Sequence, residues 1–354
     1  MASTVRYRAD WTSMDGFQYR IDIIDSDFVG TASELFIGFD SFDGFTLDYS
    51  GQNTGRFNNI LASECVINCE VTDAAFETLI DDIVNAQEQR FYVAIYKYET
   101  SVYNLFWVGL VKQELIQIED MAKPYLFQLH ATDGLGRLKN IDYPASMGTN
   151  QTFIEYLVTA LDETGITDFW ATDDNFLVTA VDWYEGSMFT TSPAYTLDPL
   201  NVSRVLNNTF IEDDNGELKY SSCFDVLTQI AQLWGATLVQ TNGSFYFIQL
   251  NNLDQSTIET RYYKKAGTYI TSNSAESFRT SDIIRQGSWN YLPSLREASV
   301  TYKYKQSVYY QNLLPDQSNY ETAVSFGTVQ GGNTEKLVFY GTVRCFMEIA
   351  IIGT

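Results

Sequence analysis

Between Ser222 and Leu250 the order of residues leaves the chain little choice but a capped helix followed at once by a tight hairpin. Ser222 with Asp225 is an N-terminal capping pair, and Phe224, Leu227, Ile230, Ala231 and Trp234 recur at helical spacing and share one face. Gly235 stops the helix, since a glycine enters the left-handed region without a Cβ penalty. Ala236 to Thr241 and Ser244 to Leu250 then flank Asn242-Gly243, which tolerates positive φ at both central positions and suits a type I′ turn. A similar helix opens earlier, where Thr152 and Glu155 form a capping box, Phe153, Tyr156, Leu157, Ala160 and Leu161 form the buried face, and Gly165 closes the unit.

Residues before this read as short strands. Phe17 to Ile24 alternates, Glu34 to Phe39 follows, and Asp43-Gly44 and Ser50-Gly51 mark turns. One helix interrupts them: Asp73 is its N-cap, and Phe76, Leu79, Ile80, Ile83 and Val84 form an apolar stripe reaching about Ala86. Phe91 to Tyr98 and Tyr103 to Val111 have hairpin spacing, and Leu115, Ile118, Tyr125, Phe127 and Leu129 continue the alternation. The expected class is α+β and β-rich. A small β-barrel domain with a closing helix (1–145) precedes an α/β domain of two helix-plus-strand units (146–265), further barrel strands (266–320) and a C-terminal β segment (321–354). Residues Asp254 to Ser288 carry few strong patterns, Glu297 to Tyr304 reads as one strand, and the apolar run Ile349 to Ile352 either finishes the last domain or enters a further one.

Composition then narrows the function. The 354 residues carry 22 Lys and Arg against 45 Asp and Glu, a formal charge of -23, which repels polyanions from most of the surface. The short basic clusters, Tyr262 to Lys265 and Tyr302 to Lys305, fall short of a nucleic-acid groove that works by counterion release, so specific nucleic-acid binding is not expected. Aromatics make up 15% of the chain, with 24 Tyr and 23 Phe, a composition suited to half-buried sheets and to subunit interfaces. No stretch approaches the roughly 18 to 20 apolar residues of a membrane span, and Met1 to Asp10 lacks the apolar core of a signal peptide, so synthesis in the cytosol is expected.

Candidate chemistry is thin. Cys65 and Cys69 share one strand-like run, which separates them by roughly 13 Å, beyond disulfide reach, and with Cys223 and Cys345 they are too few for a disulfide framework. A zinc site wants four ligands, and the sequence holds one histidine, His130, in the alternating segment Tyr125 to Thr132, where it reads as a strand residue and not as a catalytic base. No Gly-x-Ser-x-Gly elbow is present, and Cys223 reads as lying on the polar side of a helix start. Glu114, Glu119, Asp182 and Glu185 are acids of the kind glycosidases use, but no spacing singles out a pair. Asp173-Asp174-Asn175 and Asp213-Asp214-Asn215-Gly216 lack a full calcium loop and read as turns. Thr132-Asp133-Gly134-Leu135-Gly136-Arg137 has neither the third glycine of a dinucleotide fingerprint nor the lysine of a P-loop. The reading is therefore of no catalytic residue, no cofactor and no metal.

Phe127 to Lys139 resembles a recurrent stretch in tail-hub and tail-tip proteins of phages infecting Bacteroidetes-type hosts. In it, Asp133-Gly134 would end a strand while Leu135 and Leu138 dock the outgoing chain. The helix and hairpin of Tyr220 to Leu250, through Trp234-Gly235 and Asn242-Gly243 to Phe245-Tyr246-Phe247, resembles a second such stretch. The resemblance covers roughly residues 90 to 310. It implies a structural protein of the virion, a homotrimeric hub ring at the tail tip through which DNA is ejected. Its implied partners are the tail tube or distal tail protein, the tape measure protein, and tip or receptor-binding proteins. Two other readings stand beside it: a carbohydrate-binding, host-attachment tail protein, for which Trp183, Tyr184 and Trp289 are candidate stacking or interface aromatics, and a tail-associated glycan hydrolase.

Overall fold

The computed structural model describes residues 4–13, 16–35, 37, 44–51, 58–116, 122–144, 149–182, 198–214, 217–249, 257–276, 334–337 and 349–352. Contacts divide the chain into two units, Met1–Thr280 and Ser281–Thr354.

The first unit is a β-rich α+β fold. Its strands are β1 (Thr4–Thr12), β2 (Gln18–Asp25), β3 (Ser33–Glu34), β4 (Phe45–Gly51), β5 (Ile60–Val71), β6 (Phe91–Glu99), β7 (Val102–Val111), β8 (Tyr125–Thr132), β9 (Asn150–Thr152), β10 (Leu177–Ala180), β11 (Arg204–Leu206), β12 (Ile211–Asp214), β13 (Glu217–Tyr220), β14 (Ala236–Thr241), β15 (Ser244–Gln249), β16 (Thr257–Tyr263) and β17 (Tyr269–Glu276). Helices α1 (Ala74–Val84), α2 (Phe153–Asp162) and α3 (Cys223–Trp234) pack on them. Thirteen strands form one mixed sheet in the order β17-β16-β10-β15-β14-β5-β8-β7-β6-β2-β1-β3, with β4 paired to β5. β5 joins the halves: Ile60 and Leu61 pair in parallel with Leu238 and Val239 of β14, while the rest of β5 pairs antiparallel with β8 and β4. The sheet thus contains strands from both sides of residue 145. Among the described residues its path has two ends, not a ring of paired strands. One isolated bridge, Ile37 to Cys69, brings the chain after β3 to β5.

Two cores lie on the two faces. Ile21, Ile23, Val93, Ile95 and Trp107 pack with Phe76, Leu79, Ile80 and Ile83 of α1, whereas Ile24, Ala94, Val108 and Leu110 join the core of α2 and α3. The alternation expected for Phe17 to Ile24 is therefore replaced by burial of every residue from Ile21 to Asp25, because β2 has a packed layer on either side.

Helices α1, α2 and α3 begin where their caps place them. The Asp73 side chain accepts from the Phe76 N–H, Thr152 and Glu155 close a full capping box, and the Ser222 hydroxyl accepts from the Asp225 N–H. Several local expectations are corrected. Val84 faces solvent at the end of α1. Ser50-Gly51 lies within β4 instead of forming a turn, and Leu115 sits exposed in a 3₁₀ turn. Cys223 is fully buried, its backbone N–H held by the Ile141 carbonyl at 2.8 Å. The segment from Asp254 contains the hairpin β16–β17, whose polar and aromatic residues hid the period. In the second unit Thr334–Leu337 pairs antiparallel with Ile349–Ile352.

Candidate functional site

The two stretches that carry the resemblance meet in one buried joint. β8 ends at Thr132, and Gly134 turns the chain with φ 78°; a Cβ there would stand 2.5 Å from the Thr164 carbonyl oxygen, so only glycine fits without displacing backbone. Leu135 and Leu138, both fully buried in the following 3₁₀ turn, enter the same core as Phe224, Leu227 and Trp234 of α3. Gly235 caps α3 at φ 56°, and Asn242 and Gly243 hold positive φ at 46° and 72°, as a two-residue I′ turn requires. That turn rests on β7. The Gly243 N–H donates to the Phe106 carbonyl at 2.9 Å, the Gly243 carbonyl accepts from the Trp170 indole at 2.7 Å, and a Gly243 Cβ would lie 2.3 Å from the Leu105 oxygen. Gln240 completes the contact with a reciprocal pair to Val108, donating at 3.0 Å and accepting at 3.2 Å.

Asp133 is the polar centre of this joint. Its Oδ2 accepts from the Ser63 N–H at 2.6 Å and from the Ser63 hydroxyl at 2.7 Å, and its Oδ1 accepts from the Leu135 N–H at 3.0 Å. The Trp107 indole donates to the Ser63 Oγ at 2.8 Å, fixing that hydroxyl. Burial pushes the Asp133 carboxyl up to about 6, against the three hydrogen bonds that pull it down. With no exposed surface, this carboxyl can anchor strands but meets no solute.

A second buried carboxylate, Asp198, precedes the helical turn Pro199–Val202. Its Oδ2 accepts from Thr179 Oγ1 and from the Tyr263 hydroxyl, each at 2.7 Å, and its Oδ1 accepts from the Leu200 N–H at 2.9 Å. Burial raises its pKa, opposed first by the Arg261 charge. Arg261, itself 1% exposed, donates to the Val181 carbonyl at 2.8 Å and reaches Asp182 and Glu259 at 3.3 Å. The sequence reading missed this cluster. Asp198 before Pro199 is a legible N-cap signal, but nothing local announces a buried arginine in a strand.

Open to solvent is a cleft of about 580 Å³ between the end of β2, the α1–β6 connection and the turn Thr167–Phe169. Tyr92 and Phe169 form an aromatic wall, ring centroids 5.1 Å apart and planes at 61°. Arg90 is pinned at its edge by bidentate bonds to Asp25 at 2.8 and 3.0 Å. Gln89, in the left-handed region at φ 66°, meets the guanidinium of Arg137, so the Asp133–Leu138 turn also supports this wall.

Other candidates fall into place singly. His130 is half-buried on β8 with Nδ1 3.0 Å from Glu64 Oε1, while Leu129 and Ala131 point into the core. Cys65 and Cys69 are buried in β5, and burial pushes both thiols up, Cys69 to about 12. The Asp174 carboxylate accepts from the Ala171 N–H at 2.7 Å, a turn bond, and Asp213 lies in β12 of the β12–β13 hairpin. Lys264 and Lys265 of the basic cluster are engaged by Asp173 and Asp168. Trp183, Tyr184, Trp289, Glu119 and Glu185 lie outside the described residues. Among the described residues no three His, Cys, Asp or Glu side chains gather to hold a metal ion, and no helix is long and apolar enough to cross a membrane. Compared with known proteins, the chain matches no protein-family model and no curated protein.

Proposed function

We propose that the chain is a structural component of a phage tail, the subunit of a hub ring at the tail tip that joins the tail tube to distal or receptor-binding proteins and lets DNA pass. The observation that carries this reading is the joint itself. The two stretches resembling tail-hub proteins are far apart in sequence yet pack through Leu135, Leu138 and Trp234, while the enclosed Asp133 ties the first of them to Ser63 of β5. A rigid scaffold of this kind serves a protein whose work lies in shape and assembly. The formal charge of -23 suits a lumen along which DNA slides without sticking, and the aromatic content suits subunit contacts. The Ile37–Cys69 bridge is the contact that closure of a barrel in residues 1–145 would use.

Immunogold labelling of phage particles whose genome encodes the chain tests the reading. Gold confined to the tail tip is expected; gold on fibres or capsid with a bare tip overturns it.

A further inference from the structure

We infer that the cleft beside Arg90 binds a neutral saccharide. This goes beyond the scaffold role and stands independently of it. The cleft lies within the usual range of small-ligand sites, about 300 to 1,000 Å³. Its chemistry has two halves. The Tyr92–Phe169 pair offers apolar ring surface for the C–H face of a sugar. Around it, Asn85, Gln87, Glu88 and Asp168 supply planar amide and carboxylate groups, which meet neighbouring hydroxyls in pairs.

Charge decides the ligand class. Arg90 is already bound bidentately by Asp25 and lies 3.4 Å from Asp27, while Asp168 is 3.3 Å from Lys265. The charges of Arg90 and Asp168 are thus largely neutralised from within. A phosphate or sulfated ligand would have to displace Asp25 from Arg90, and a cationic peptide would have to displace Lys265 from Asp168. A neutral polyol displaces neither, because a paired carboxylate keeps free lone pairs for hydroxyl donors. The fixed donor at Arg90 and the strained Gln89 backbone preorganise the rim.

The test is saturation-transfer NMR and calorimetry on the full-length chain with neutral oligomers of glucose, galactose, mannose and N-acetylglucosamine. At least one is expected to bind. The double variant Gln87→Ala/Glu88→Ala, at two exposed positions, should weaken it about tenfold or more, the loss of one or two hydrogen bonds to the ligand. Gln87→Trp, which fills the cleft, should abolish binding with the thermal midpoint unchanged. The inference is overturned if none of these saccharides binds, if the bound one is indifferent to both variants, or if a lysine-rich peptide occupies the cleft instead in a salt-sensitive way.

Discussion

Asp25 and Asp133 are both buried carboxylates at strand ends, and they are held in opposite ways. Asp25, at the end of β2, sits between two guanidiniums: Arg90 binds it twice, Arg6 donates at 3.0 Å, and the Asp27 N–H adds a fourth bond at 3.0 Å. Burial pushes its pKa up, but these bonds outweigh burial and hold the carboxyl below the ordinary carboxylate range. Asp133 has only uncharged donors, and there burial wins. The contrast separates two uses of one residue type. Asp25 belongs to a network that reaches solvent through Arg6, Asp82 and Asp27 and can rearrange. Asp133 belongs to a closed joint that cannot.

Substitution should expose that difference first. Asp133→Ala strands the Ser63 N–H, the Ser63 hydroxyl and the Leu135 N–H in a dry interior, and should cost about 3 to 4 kcal/mol in urea denaturation. Asp25→Ala should cost less, about 1 to 2 kcal/mol, since Arg6 and Arg90 can turn to Asp82, Asp27 and water. Equal losses would erase the distinction.

Acidity separates the pair next, with opposite signs. A carboxyl whose folded pKa is raised contributes stability that is complete below about 4 and is lost as pH rises through its folded value. Asp133 should therefore make the protein less stable between about pH 4 and pH 6, by up to about 3 kcal/mol. Asp25, with a depressed pKa, contributes stability present above about 4 and lost as pH falls through its folded value. Denaturation across pH should show the first trend disappear in Asp133→Asn while the acid-side loss remains. An unchanged profile in that variant would assign the slope to other groups.

The glycines beside Asp133 give a smaller contrast. Gly134→Ala places a Cβ against the Thr164 carbonyl at positive φ and should cost about 2 kcal/mol, whereas Gly136→Ala meets nothing within 4 Å and should leave stability within about 0.5 kcal/mol. Smallest of all is the tip of the β6–β7 hairpin, where Thr100 and Ser101 both hold positive φ, at 50° and 71°. Replacing them with Asn-Gly should stabilise the protein by about 1 kcal/mol, read as a shift in thermal midpoint.

These positions also show what the sequence could and could not disclose. Caps, stops and turns are local, so Asp73, the Thr152–Glu155 box, Ser222, Gly235 and Asn242-Gly243 were legible and folded as read. The docking role of Leu135 and Leu138 was legible because the glycine turn and the two leucines lie within a few residues. The partner of Asp133 was not: Ser63 is 70 residues away and looks like any strand serine. Asp198, Tyr263 and Arg261 come together only because β10, β15 and β16 are neighbours, an order that no local pattern encodes. Two-sided burial of β2 was missed for the same reason, since alternation reports one face and says nothing of a second packed layer. The cleft left no motif at all, as its walls come from three separate segments.

A joint as closed as that of Asp133 fits a subunit whose outer surfaces serve assembly, and the mass of the purified chain in solution tests this account most directly. Light scattering coupled to size exclusion, across concentration and salt, should give a stable mass near three times the 40.2 kDa of one chain. A strict monomer under every condition would contradict the ring.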